Sequence, residues 1–128
     1  MRSFILLFLS QTLSKGFNLI GNTYLAHINV PLTTKKQSIK IYFVDNNKAN
    51  LKLDGFINKE GNIDYNYDEL KKTFYYTPDK NIENVMKKYL LNLYDIFYNE
   101  TSDKPVITIK SKLLRIKQKI IFNNIKEI

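Results

Sequence analysis

The chain has 128 residues, 44% of them apolar, which suits one compact domain and is too apolar for a disordered chain. It contains no cysteine, so disulfides, thiolate catalysis and cysteine-held metals are excluded. The net charge of +8 comes almost wholly from lysine, alongside much Asn, Ile and Tyr and no Trp; this matches the bias of an AT-rich coding sequence, and a binder selected for nucleic-acid contacts would use more arginine.

Arg2 precedes a short apolar run, Phe4 to Leu9, and small residues follow at Ser14 and Gly16. The run is apolar on all sides and too short to span a bilayer, so residues 1–16 read as a signal or targeting peptide and 17–128 as a single β-rich domain. Export, or import into an organelle, is the expectation that follows.

Residues 24–30 alternate as a strand, with Tyr24, Ala26, Ile28 and Val30 on one face, and Pro31 ends it. His27 falls on the opposite face and reads as a surface residue. A second strand covers 38–44, with Ile39, Ile41 and Phe43 inward, and Asp45-Asn46-Asn47-Lys48 is a turn. The third, 49–57, places Leu51 and Leu53 inward. Asn58-Lys59-Glu60-Gly61 reads as a hairpin loop, followed by strands at 62–67 and 72–76.

Thr77-Pro78 has the form of a helix start. Ile82, Val85, Met86, Tyr89, Leu90, Leu93 and Phe97 then recur at three- and four-residue spacing, which predicts one long amphipathic helix ending near Asn99. From Pro105 to Phe122 the apolar positions are Ile107, Ile109 and Leu113, then Leu114, Ile116, Ile120 and Phe122. The parity switches between Leu113 and Leu114. A β-bulge there, a tight turn near Lys110-Ser111-Lys112, or a helix from Leu113 onward would each accommodate the switch; the abundance of Ile, Val, Thr and Phe favours strand.

The expected fold is therefore α+β and mainly antiparallel: a curved β-meander of about six to seven strands packed on the long helix, with a half-open barrel as one form of it. The arrangement is loosely similar to lipocalin-like barrels, with Gly21 and Tyr24 where that family keeps an early Gly and Trp. The Trp itself is missing and the helix precedes the last strand region, so the likeness covers the opening residues alone and assigns no family.

No phosphate loop, dinucleotide fingerprint or nucleophile elbow is present. Asp64, Asp68 and Glu69 sit beside a turn, where acidic side chains are expected for local hydrogen bonding. The Asn99-Glu100-Thr101 sequon matters only in a eukaryotic secretory lumen. Two groups of residues carry the functional expectation. Tyr65, Tyr67, Tyr76 and Tyr89 would line an interior, each offering a ring to stack on a ligand and a hydroxyl to orient it. Lys110, Lys112, Arg115, Lys117 and Lys119 would form a basic outer face able to meet phosphate or anionic headgroups. The reading is a non-catalytic binding or assembly protein without cofactor or metal. It would hold an apolar small molecule or dock on a larger complex. The alternative is a basic-face binder of nucleic acid or anionic membrane.

Overall fold

A computed structural model describes residues 19–31 and 34–125; the expected leader, residues 1–16, lies outside them. The elements in chain order are β1 (Thr23–Asn29), β2 (Lys36–Phe43), β3 (Lys48–Gly55), β4 (Lys59–Asp68), β5 (Thr73–Pro78), α1 (Lys80–Lys88), β6 (Leu91–Asn99), β7 (Lys104–Ser111), β8 (Ile116–Ile121) and β9 (Asn123–Asn124). All pairings are antiparallel between sequence neighbours, from β8 through β1, and β9 then pairs with β1.

β8 and β9 are separated by Phe122 alone, so they act as one strand bent at that residue. Its first part pairs with β7 and its second part with β1 (Tyr24↔Asn124, Leu25↔Asn123). Phe122 N donates to the Pro105 carbonyl at 2.9 Å and Ile125 N to the Thr23 carbonyl at 2.9 Å. The sheet thus curls into a nearly closed up-and-down barrel, the arrangement that removes free edges. Inward positions are mostly apolar and outward ones mostly polar: on β2, Ile39 and Ile41 are buried whereas Lys36 and Lys40 are exposed, with inward Gln37 and outward Tyr42 as exceptions. That is opposite to the apolar outer band of a membrane-spanning barrel.

The helix is shorter than the periodicity predicts. It ends at Lys88, and Leu90 adopts φ 50°, a left-handed conformation that cannot continue a helix. Leu93 and Phe97 belong to β6 instead. Its Leu91, Leu93, Phe97 and Tyr98 suit a strand, and a register shift between Tyr94 and Phe97, with Asp95 at φ 50°, lets Leu91 and Leu93 above it and Ile96 and Tyr98 below it all face the interior. The strand count consequently rises from the expected six or seven to nine. The helix also starts two residues later than expected. Thr77 and Pro78 close β5, and Asp79 is the N-cap, accepting from Ile82 N at 3.0 Å. At Leu113-Leu114 the chain makes the tight turn, not the bulge: residues 112–115 connect two separate strands.

The strands place loops at two ends. The helix end carries residues 30–31, 34–35, 56–58, α1 and 112–115. The opposite, base end carries residues 19–22, 44–47, 69–72, 100–103 and 122–125. The helix is seated at its end by β4. Asp79 Oδ2 accepts from Asn62 N at 2.7 Å, and the Asp79 N–H donates back to the Asn62 carbonyl at 2.9 Å. Gly61 makes this approach feasible: a Cβ there would lie 2.6 Å from Asp79 Oδ1 and 2.7 Å from Ile82 Cγ1. The bonds from Asn62 and Ile82 hold the Asp79 carboxyl below the usual carboxylate range. Its contribution is present above the unfolded carboxyl pKa and is lost as pH falls through the lowered folded value.

Gly61→Ala is therefore expected to lift the helix from its seat, destabilising the protein by about 1–3 kcal/mol. Amide exchange over 80–88 should accelerate ahead of the strands. An unchanged melting temperature with protected helix amides would contradict this seating.

Candidate functional site

The barrel interior is divided by residue type. Towards the base the inward residues are aromatic. Phe43 packs edge-on against Tyr24 (5.6 Å between centroids) and Tyr65 (5.2 Å), and stacks on Phe74 (6.0 Å). Tyr67 joins Phe74 at 4.9 Å and Tyr98 at 6.0 Å. Their hydroxyls find acceptors at the base. Tyr24 and Tyr98 both donate to Asp103 Oδ1, at 2.7 and 2.5 Å, and Asn124 Nδ2 donates to Oδ2 at 2.8 Å. Tyr65 donates to the Asp45 carbonyl at 2.5 Å; Tyr67 donates to Glu100 at 3.2 Å, which also pairs with Lys72 at 2.8 Å. Buried rings thus end in satisfied polar tips, as the amphipathic tyrosine side chain requires.

Towards the helix end the inward residues are aliphatic, and shorter side chains leave space. A cavity of about 110 Å³ lies between the helix residues Ile82, Val85 and Met86 and a wall that includes Ile39, Leu51, Leu53, Leu91 and Ile109. A second cavity of about 70 Å³ lies next to it, reaching Phe43, Tyr65 and Phe74. The two share Ile41, Ile63, Tyr76, Leu93 and Ile107, so they run in sequence along the interior. The surface of both is carbon alone. Gln37, the one amide in the wall, is already engaged. Its Oε1 accepts from Ile57 N at 2.7 Å, and its Nε2 donates to the carbonyls of Ser38 (2.9 Å), Ile57 (3.0 Å) and Asp54 (3.2 Å). It fixes the β3–β4 loop that forms part of the rim.

One seam of the barrel is loose. β5 and β6 share a single register pair, Thr73↔Phe97, supported by Tyr98 N donating to the Lys72 carbonyl at 2.9 Å. Above that point the strands part, and α1 lies across the opening with contacts to β4, β5 and β6. The residues flanking the opening are the upper halves of β5 and β6, and the cavity residues Tyr76, Leu91 and Leu93 come from them. The carbon-lined space is thus bounded on one side by a short helix and an unpaired seam rather than by a continuous ladder.

The expected site residues fall in different places. Tyr76 lines both cavities and Tyr65 the second. Tyr67 lies in the aromatic base, beyond the cavities. Tyr89 sits outside them at the helix C-cap, 6.0 Å from the Phe56 ring with the Lys88 ammonium 5.4 Å from its own. The cations are all exposed. Lys110, Lys117 and Lys119 occupy the outer face of β7 and β8, and Lys112 and Arg115 the turn between these strands. Lys110 stands directly opposite Lys117, a like-charge pair, and Lys119 lies 5.7 Å from the Phe97 ring. They do not join the tyrosines in one site. Leu91 and Leu93 are wall residues that the expected long helix hid, since Leu93 falls on its stripe and Leu91 off it; the alternation Leu91-Asn92-Leu93 was the available signal.

Among the described residues no group of three His, Cys, Asp or Glu could hold a metal, and no helix is long and apolar enough to cross a membrane. His27 is exposed on the outer face. Asp68 caps its own turn, accepting from Leu70 N at 3.0 Å and Lys71 N at 3.1 Å. No protein-family model, curated protein or solved structure matches the chain.

Burial pushes the Tyr65 hydroxyl up to about 12, with the Asp45 charge adding to it. Burial, then the Asp103 hydrogen bond, pushes Tyr24 and Tyr98 further up; burial and then Glu100 do the same for Tyr67. A pKa raised in the folded state contributes stability below the unfolded value and loses it as pH rises towards the folded one. An alkaline titration followed by tyrosinate absorbance is therefore expected in two phases. The second, from the base tyrosines, should coincide with loss of near-ultraviolet circular dichroism. A single phase with every tyrosine ionising in the native state would contradict the buried base.

Proposed function

We propose that this is a non-catalytic binding protein that holds a hydrocarbon group in the space between the barrel and α1. The observation that carries this reading is the carbon-lined cavity of about 110 Å³, continuing towards a second of about 70 Å³. Protein interiors pack to the density of organic crystals, and an empty space of the larger one's size costs roughly 2–3 kcal/mol at the usual rate per unit volume. An eight-lane barrel is just wide enough to be filled by side chains or to admit one small ligand. Here the base follows the first course and the helix end the second.

The chemical class of ligand follows from the wall. Its cavity-facing surface is carbon alone and offers dispersion contacts and burial, and the hydroxyl of Tyr76, the one ionisable side chain in the larger cavity's wall, does not reach that surface. That supports holding rather than turnover, and an alkyl or small aromatic group rather than a polar one. A cavity of roughly 150 Å³ lined by similar side chains accommodates benzene, so the space at the helix end suits one small ring or a short branched or straight alkyl segment. The loose β5–β6 seam and the short helix supply the boundary that can give way for entry, since few hydrogen bonds are broken there.

Leu93→Phe tests this reading, because Leu93 lines both cavities. Hexane and benzene are expected to bind the wild-type protein saturably, shifting the methyl resonances of Ile41, Leu93 and Ile107 and raising the melting temperature. Leu93→Phe should abolish those shifts while holding or raising the melting temperature of the ligand-free protein. Absence of saturable shifts in the wild type would overturn the proposal.

A further inference from the structure

We propose that the helix end of the barrel is a docking surface for an anionic lipid bilayer. The surface stands on its own observations; its use for loading the interior rests on the reading above.

The first observation is Leu90. It occupies the position after the helix C-cap with φ 50°, where Gly or Asn is favoured, and its side chain is 59% exposed. The fold gains nothing visible from a leucine here, and both its backbone and its side chain are unfavourably placed. The second is Leu113, 56% exposed in the β7–β8 turn. The two are brought to one junction. Leu91 pairs with Ser111, the Ser111 hydroxyl donates to the Tyr89 carbonyl at 2.5 Å, and the same oxygen accepts from Leu114 N at 3.1 Å. Both leucines flank this laced point.

The third observation is charge. Lys88 closes the helix just before Leu90, next to a Lys87 that is paired with Glu83, and Lys112 and Arg115 bracket the Leu113 turn. Of the acids at this end, Glu83 is engaged with Lys87 at 2.7 Å, Asp79 caps the helix, and Asp54 and Glu60 lie on the β3–β4 hairpin. The base turns carry Asp45, Glu69, Glu100 and Asp103 together with Lys71 and Lys72, and Asp68, Lys48 and Lys104 stand at the adjoining strand ends, so acids and cations nearly balance there. The helix end is therefore the more basic of the two.

Exposed leucines ringed by cations match a bilayer: the leucines enter the acyl boundary while lysine and arginine stems reach up to the headgroup phosphates. A polynucleotide would engage the cations but offers no apolar phase to the leucines. The upper half of β6, paired with β7 but parted from β5, starts at Leu91, so a docked helix end would put the loose seam against the membrane, where an apolar ligand resides.

Cosedimentation of the full chain with vesicles tests this. The protein is expected to bind vesicles of equal parts phosphatidylcholine and phosphatidylglycerol at low salt, to be released at high salt, and to leave phosphatidylcholine vesicles unbound. Lys112→Glu with Arg115→Glu should weaken binding by at least about fivefold per cation. Leu90→Gly, which suits the backbone at that position, and Leu113→Ser should each weaken it several-fold with melting temperature and hexane binding retained. Leu70→Ser removes a leucine that is 95% exposed at the base and should change nothing. The proposal is overturned if the mixed vesicles do not bind, if neutral vesicles bind equally, or if Leu70→Ser weakens binding as much as Leu90→Gly. Binding to a DNA duplex as tight as to the vesicles and insensitive to Leu90→Gly would also overturn it, assigning the face to polyanions. Failure of hexane binding alongside the expected vesicle pattern would end the cavity reading and leave the docking surface standing.

Discussion

The structure depends on the strand that closes it. Residues 116–125 pair with β7 before Phe122 and with β1 after it, and Phe122, fully buried, turns the chain from one neighbour to the other. Once a sheet is joined to itself in this way, the two-residue alternation of side chains fixes an inside and an outside for every strand at once. A register slip of one residue in any strand would turn its Ile and Leu residues to water. Closure also fixes the interior width, so how fully the space is filled is decided by side-chain size alone.

That decision differs along the axis. At the base, Tyr24, Phe43, Tyr65, Tyr67, Phe74 and Tyr98 fill the interior with rings, and the four tyrosine hydroxyls reach acceptors among the base turns. At the helix end, Ile, Leu and Val take the same inward positions and fall short of the axis. The helix then works as a lid rather than as the filling of a curved sheet. Its Ile82, Val85 and Met86 reach down to the cavity, and its seat is set by the absence of a side chain at Gly61 and by the Asp79 carboxylate bridging Asn62 and Ile82. A nine-residue helix buries too little to be stable by itself, so this seat holds it.

Much of the sheet was legible because β1 to β4 alternate and are separated by Pro31, the Asp45 turn and a hairpin loop, although that loop lies at 56–58 and the expected loop residues Lys59, Glu60 and Gly61 open β4. The region 79–99 was not. Leu93 and Phe97 continue the helical spacing of Ile82, Val85 and Met86 by coincidence, and no Gly or Pro marks the break, because the left-handed position is filled by Leu90. The bulge at Asp95 further hid the strand by switching its parity. In 105–122 the same kind of switch is a turn, and a turn built from Lys112, Leu113, Leu114 and Arg115 has none of the usual turn residues; Arg115 takes φ 54° without being Gly or Asn. Of the tyrosines, the inward parity of Tyr65 and Tyr76 was visible in their strands, whereas the place of Tyr89 depended on where the helix stopped. The cavity was not legible at all. It arises from strands far apart in sequence, each contributing a side chain of ordinary size.

The central claim is that the nearly closed barrel is underfilled with carbon beneath the helix. Crystals of the protein pressurised with xenon test it most directly, since xenon enters apolar cavities without any specific polar contact. The account predicts xenon density among Ile41, Leu53, Leu93 and Ile107, with the surrounding side chains unmoved. An interior without xenon, with those side chains meeting across the axis, would contradict it.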